Sequence, residues 1–424
     1  MKKLKVVLIG AGSRGGAYTD RMLGDKYQIV GVAEPKENRR NYIKEKHGVS
    51  DEYCFDTWER VFEVPKFADI AIISTLDQLH HGPALKAIEM GYDLLLEKPA
   101  SNDCRECIEI ANAAKEKGTK ILVCHVLRYS PFFMRVKQMV DDGMIGKVMS
   151  IHHSECVGNV HQSHSFVRGN WGNTGRSSCM ILQKSCHDMD IMQWLMGVPC
   201  KRVQSFGTLT YFTKENAPEG APEYCDKTCP VYEECYYNAI KRYVEDETNA
   251  WFREAASNMK NPTNEQVIEA LRKTQYGKCV FKCDNDVVDK QVVNLEFENG
   301  AVASFNMCAF NKGGRYMRLM GTDGEIYADM EKDTIEYYSF KTKERVMVEV
   351  APNDSKEGTS GHGGGDVGIV ESLYDYVAND IVTTQLSTID ISVKNHIIAF
   401  AAEKSRLEGK VIDIKEFEKE MGLK

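Results

Sequence analysis

At 424 residues the chain is too long for one ordinary core, so two domains are expected. With 42% hydrophobic and 27% charged residues its composition is that of a soluble enzyme, and a net charge of -8 without a basic run argues against nucleic acid. No apolar run approaches the ~20 residues of a membrane span.

The first apolar run, residues 4–9, feeds Gly10, Gly12, Ser13, Arg14 and Gly15 at the start of a predicted helix. In that strand–turn–helix order Gly10 permits the tight turn and Gly12 lets a pyrophosphate approach the backbone. Gly15 lets helix and strand pack, and the free N–H groups of the helix start face the anion. Because this run is already a strand, no signal peptide is expected, and the location read from it is the cytoplasm. A second apolar run, 28–33, ends on Glu34, an acid at the distance that accepts the ribose hydroxyls of NAD and repels a 2′-phosphate. Arg39 and Arg40 follow shortly and keep NADP open.

Further along, the polar stretch 36–47 predicts a surface helix ending at Gly48. Residues 67–75 predict a third, buried strand, 83–90 a helix, and 92–96 a strand running into Glu97-Lys98-Pro99. A helix over 105–117 and a strand over 120–124 complete an α/β unit. The alternation over 1–125 predicts a doubly wound parallel sheet, a Rossmann domain, with ligands at the carboxyl ends of its strands. Over 126–424 the pattern changes. A helix at 131–140 precedes alternating runs at 148–153, 292–297, 301–305 and 345–348, and Glu298-Asn299-Gly300 is a hairpin signal. This part is expected to be an α+β domain with a large, mainly antiparallel open sheet. Residues 213–283, with their prolines and cysteines, read as an insertion, and the last predicted helix, 391–407, packs on one of the domains.

Glu97-Lys98-Pro99, the glycine turn, the segment from Thr75 to His80, Arg128-Tyr129-Ser130-Pro131, and His187-Asp188-Met189-Asp190 before Trp194-Leu195-Met196-Gly197 together carry a resemblance. The chain resembles the glucose–fructose oxidoreductase and inositol dehydrogenase (Gfo/Idh/MocA) family. The resemblance implies a Rossmann domain whose cofactor contacts include Thr75, His80, Glu97, Lys98 and Arg128. It also implies a sheet domain covering nicotinamide and substrate, His187 as the general base, and homodimers or homotetramers through the open sheet.

Physically, a lysine at a strand end in the ligand crevice can bond a substrate hydroxyl and stabilise the alkoxide that develops as hydride leaves. An imidazole with a pKa near neutrality suits the proton that alcohol oxidation must discard. The sequence departs from the family pattern four residues before His187, where an aspartate is common and Gln183 stands. If one helix carries both, an amide replaces a carboxylate beside the base, and Lys184 becomes a second positive group near substrate.

The polar stretch 152–171 reads as a strand continuing into a loop. Glu155, His161, His164, Arg168 and Trp171 suit a hydroxyl-rich ligand there. The histidine spacings match no standard metal motif. His362, in the glycine-rich stretch 359–366, is placed in a loop reaching the cleft, with Asp366 capping the next helix. Of the fourteen cysteines, Cys225, Cys229, Cys235, Cys279 and Cys283 lie in the insertion as candidate ligands of a structural zinc.

The first reading is an NAD-dependent oxidoreductase taking hydride from a secondary hydroxyl of a sugar, glycoside or cyclitol. Its rival is a glycosidase or lyase of the same fold that oxidises a ring hydroxyl transiently, eliminates and recycles NAD. A sugar sensor that binds NAD without turnover is the third reading.

Overall fold

The computed structural model describes residues 3–246, 248–350 and 362–423. Its N-terminal part is built on a six-stranded parallel sheet of β1 (Leu4–Ile9), β2 (Tyr27–Ala33), β3 (Cys54–Phe55), β4 (Ile70–Ile73), β5 (Asp93–Leu96) and β6 (Ile121–Val123). The spatial order is β3-β2-β1-β4-β5-β6, the doubly wound order. β4 is buried throughout, as a central parallel strand covered by helices on both faces must be. The strand expected third is fourth, because two-residue β3 is too short to leave a periodic signal.

The other strands form one nine-stranded sheet. They are β7 (Val148–Cys156), β8 (Cys200–Thr208), β9 (Lys290–Phe297), β10 (Val302–Cys308), β11 (Gly314–Gly321), β12 (Gly324–Asp329), β13 (Thr334–Ser339), β14 (Arg345–Val348) and β15 (Ile412–Asp413). Their order is β14-β13-β12-β11-β7-β10-β9-β8-β15, antiparallel except where β10 runs parallel to β7. Strict alternation along β9 and β10 buries one face, Val293, Leu295, Phe305 and Met307 among it.

The helix Ile389–Glu408 ties the halves together. It packs on β8 and on the helix Cys186–Met196, and also on the helix Cys104–Lys117 of the parallel unit. One buried apolar cluster therefore runs through both sheets. This helix is not the last, as had been expected: Asp413 caps a further one, Ile414–Met421. Between β8 and β9 stand the helices Ala250–Ser257 and Asn264–Lys273, the second opened by a Thr263/Gln266 capping box.

Two local expectations are corrected. The stretch expected to be a loop after β7 is instead a wide helical turn over Gln162–Arg168, with every side chain buried. Gln183 and His187 do not share one helix. A short helix, Met180–Gln183, ends before the helix Cys186–Met196 begins.

Candidate active site

The glycine turn has the shape of a pyrophosphate cradle. Gly10 has φ +93°, and a Cβ there would stand 2.6 Å from Ser74 O; one on Gly15 would meet Gly10 O at 2.2 Å. Gly12 is the N-cap of the helix Ser13–Arg21 and no side chain caps it, so the first-turn N–H groups are left for an anion. Glu34 is buried at the end of β2. Its carboxylate accepts from the N–H of Ala11 at 2.8 Å and of Lys36 at 3.0 Å, which fixes an acid against the turn. These residues fit a dinucleotide. The insertion also reaches this edge: Asn258 Oδ1 accepts from Lys36 Nζ at 2.6 Å and Arg39 Nη2 at 3.0 Å.

Arg14 does not face outward from the turn. It donates to Glu97 Oε1 at 2.9 Å and grips Asp366 at 2.7 and 3.0 Å, and Tyr18 OH donates to Glu97 at 2.6 Å. Burial alone would raise the Glu97 carboxyl, but the Arg14 guanidinium and Lys98 ammonium hold it below its ordinary value. Asp366 therefore locks the helix Gly365–Asn379 to the parallel unit instead of capping it; the N-cap is Gly364. Residues 359–361 of the glycine-rich stretch lie outside the described residues.

Lys98 follows at the end of β5, before a cis bond to Pro99. His80 is buried between two loops, Nδ1 2.7 Å from Pro99 O and Nε2 3.3 Å from Thr75 O, so it and Thr75 shape the turn holding Lys98. Lys98 Nζ donates to the backbone carbonyl of Gln183 at 2.6 Å and stands 6.0 Å from the centre of the Trp171 ring. The helix break explains the first contact. Ending the helix at Gln183 leaves its carbonyl without a helical partner, and Lys98 takes it. Position 183 thus meets the lysine through its backbone.

His187, in the first turn of the helix Cys186–Met196, is buried, and its Nδ1 has no hydrogen-bond partner. Burial, then the Lys98 ammonium, holds it neutral, well below the ordinary histidine range. Beside it are His125 at 5.8 Å between ring centres and His362 at 5.8 Å, with His396 5.3 Å beyond His125. His125 follows β6 and was not singled out from sequence, where it reads as one more buried residue after a strand. Both its nitrogens are buried without a partner, and burial lowers its pKa to about 4. His396 is structural: Nδ1 lies 2.6 Å from Ser392 O and Nε2 accepts from the N–H of Ala100 at 3.0 Å.

Near these imidazoles, close enough for Arg315 to act on His187, lies a buried ionic cluster. Lys184 Nζ is 3.5 Å from Glu155, Arg315 pairs with Glu155 and reaches Asp188 Oδ1 at 2.9 Å, and His153 Nε2 is 2.8 Å from the same oxygen. Burial, then Glu155 and Arg315, act on the Lys184 ammonium, whose net pKa is lowered. Arg315, on β11, had no motif to mark it in the sequence.

Several expected site residues sit elsewhere. Arg128 is buried in a two-point pair with Asp190 at 2.7 and 2.8 Å. Arg168 turns into the insertion, donating to Lys278 O at 2.9 Å and Tyr237 O at 2.8 Å. His164 lies 2.9 Å from Tyr243 OH and stacks on Phe252 with ring centres 4.0 Å apart. His161 packs between Phe166 and Trp251. Among the described residues no group of three His, Cys, Asp or Glu side chains is arranged to hold a metal ion, and no helix is long and apolar enough to cross a membrane.

The fold and the cradle define an NAD-binding oxidoreductase of two domains. The model of the oxidoreductase family's NAD-binding Rossmann fold matches residues 4–125, and that of its C-terminal alpha/beta domain matches residues 137–384. The chain belongs to the Gfo/Idh/MocA oxidoreductase family. It is 26% identical to YteT of Bacillus subtilis (strain 168), named as an oxidoreductase, over 397 residues, 87% of this chain and 88% of that one. It is 25% identical to inositol 2-dehydrogenase 2 of Saccharopolyspora erythraea over 166 residues, 39% of this chain and 44% of that one. A levoglucosan dehydrogenase solved with NADH and levoglucosan superposes with a TM-score of 0.71 at 16% identity, over 97% of this chain and all 100% of that one.

Proposed function

We propose that this protein oxidises a secondary hydroxyl of a sugar, glycoside or cyclitol with NAD, in the cytoplasm. The observation that carries the reading is that Lys98, after β5, reaches the Gln183 carbonyl at 2.6 Å, four residues before His187, whose Nδ1 has no partner among the described residues and which burial and then the Lys98 charge keep neutral. Bound NAD supplies the hydride acceptor. Lys98, exchanging the Gln183 carbonyl for the reacting hydroxyl, stabilises the developing oxyanion. His187 takes the hydroxyl proton, and its depressed pKa keeps it able to do so in mildly acidic solution. Trp171 offers a ring face 6.0 Å from Lys98 Nζ, and Gln183, Lys184 and His362 are the further side chains assigned to the substrate. His80, Thr75 and Glu97 act by shaping the turn.

The test is NADH formation at 340 nm with a panel of inositols, monosaccharides and glycosides. Lys98→Ala is expected to lower kcat/KM by ~10²–10³; turnover unchanged in that variant would remove Lys98 from the chemistry.

A second reading, redox-recycling cleavage of a glycoside, is favoured by one observation. His125, His187, His362 and Lys184 crowd the site with more proton-transferring groups than a single oxidation needs. An aryl glycoside cleaved without net NADH would support it, and stoichiometric NADH would exclude it. Phe206, Val292, Val302, Tyr316 and Tyr327 are exposed on the open face of the nine-stranded sheet, which supports a homodimer or homotetramer through that face. Light scattering of the purified chain tests it, and a monomer at micromolar concentration would reject it.

A further inference from the structure

The insertion between β8 and β9 contains a feature that dehydrogenation does not use. Residues 217–238 form turns without a helix or strand, yet they are held in a defined path. Tyr224 and Lys278 make an isolated antiparallel bridge, and the N–H of Cys225 reaches Gly277 O at 2.8 Å while that of Cys279 reaches Glu223 O at 2.9 Å. Cys225 and Cys279 are thereby neighbours across 54 residues of chain. Turn bonds from Tyr232 N to Cys229 O at 3.0 Å and from Cys235 N to Val231 O at 2.9 Å fold the next two cysteines back. All four cysteines line one void of about 20 Å³, closed by Arg168, Asn238 and mainly apolar side chains such as Val231, Val280 and Phe281. Cys283 does not; its sulfur turns to Cys279 O at 3.5 Å.

A second observation concerns charge. Arg168 is 2% exposed and lines the same void. Its partners are two carbonyls and, at 3.8 Å, the sulfur of Cys225. Among the described residues no carboxylate pairs with it. A buried guanidinium without an anion is costly, and four neutral thiols do not supply one. Four thiolates around a divalent zinc ion, or around an iron–sulfur cluster whose core carries two positive charges, form a dianion beside it.

We propose that Cys225, Cys229, Cys235 and Cys279 are the ligands of a four-thiolate metal centre that staples the insertion and gives Arg168 its counter-charge. Each thiol loses its proton on binding. No three ligand-type side chains among the described residues stand together as a ready-made single-ion site, and a void of about 20 Å³ holds little more than one water. A zinc ion therefore draws the turns of residues 217–238 inward, whereas a sulfide-bridged cluster pushes them apart.

The experiment is metal and acid-labile sulfide analysis of the full-length chain purified without oxygen. About one zinc per chain, or about four irons with matching sulfide and an absorbance shoulder in the visible, are the expected results, and they distinguish the two centres. Cys229→Ser and Cys235→Ser should lose most of the metal, and Cys283→Ser should keep it. A readout on the unmutated chain covers variants that fail to fold: stripping the metal under non-denaturing conditions should make these four cysteines alkylatable together, as read by mass spectrometry. Zinc and iron both below about a tenth per chain, disulfides among the four cysteines, or Cys283→Ser losing as much metal as Cys229→Ser would overturn the assignment.

Discussion

Two neighbouring groups of buried polar side chains are kept in opposite states. On one side are His125, His187 and His362, with ring nitrogens of the first two left unpaired and burial holding all three below the ordinary histidine pKa. On the other, Lys184, Glu155, Arg315, Asp188 and His153 form one run of ion pairs, with burial opposing ionisation of Asp188 and Arg315 overriding it, so that its pKa falls to about 2. A buried polar atom without a partner weakens a fold unless something else fills the vacancy. Unpartnered atoms occur in both groups, His153 Nδ1 and Asp188 Oδ2 among them, so the difference is one of charge: the ions of the second group hold one another, whereas His125 and His187 have no counter-ion among the described residues.

Substitution on each side gives the sharpest contrast. His187→Asn should lower kcat by ~10²–10⁴, the usual contribution of a positioned general base. It should leave the melting temperature close to wild type, since the imidazole has few protein bonds to lose. Asp188→Asn should do the reverse. It leaves Arg315 and His153 facing a neutral amide in a buried site, a change that costs about 3–5 kcal/mol, while the fraction still folded keeps most of its turnover. Urea unfolding alongside steady-state kinetics reads both; a stable, inactive Asp188→Asn would break the division between the two clusters.

The unpaired side should also show itself in pH. His125 has a folded-state pKa of about 4 against ~6.5 unfolded. Between those values the unfolded chain binds the extra proton, so stability rises with pH; the contribution is complete above about 6.5 and lost as pH falls toward 4. At pH 5 the loss from this one residue is about 2 kcal/mol. His125→Asn should therefore flatten the fall in melting temperature between pH 7 and pH 5, and an unchanged slope would mean that His125 is not held neutral.

How much of this the chain declares in advance varies with the kind of interaction. Gly10, Gly15 and Glu34 are legible because turn sterics and helix–strand packing demand those residue types at fixed spacing. Lys98 and His187 are legible because the family pattern marks them. Arg315 and His125 are not: their roles depend on β11 lying beside β7 and on β6 ending next to the helix Cys186–Met196, both long-range pairings. Arg168 and His164 were misplaced for a related reason. Polar residues after a strand look like a cleft lining until an insertion with its own aromatic core folds over them. The break after Gln183 has no glycine or proline to announce it.

The smallest expected effect lies where the insertion meets the residues that follow β2. Lys36 is pushed below the ordinary lysine range by burial and then by Arg39, and both cations share the neutral carbonyl of Asn258. Arg39 Nη1 also stands 3.9 Å from where a Cβ on Gly12 would be, beside the cradle. Asn258→Ala removes the shared acceptor and leaves two crowded cations next to the ribose edge. A 2′-phosphate would then supply the missing counter-charge, so NADPH should bind a few-fold tighter, within the factor of 10 that ~1.4 kcal/mol represents. NADH should bind as before, because the substitution leaves Glu34 and its bonds to the N–H groups of Ala11 and Lys36 in place. Titration of both reduced cofactors by fluorescence measures the ratio. An unchanged ratio would place Lys36 and Arg39 outside the cofactor's reach and confine discrimination at this edge to Glu34.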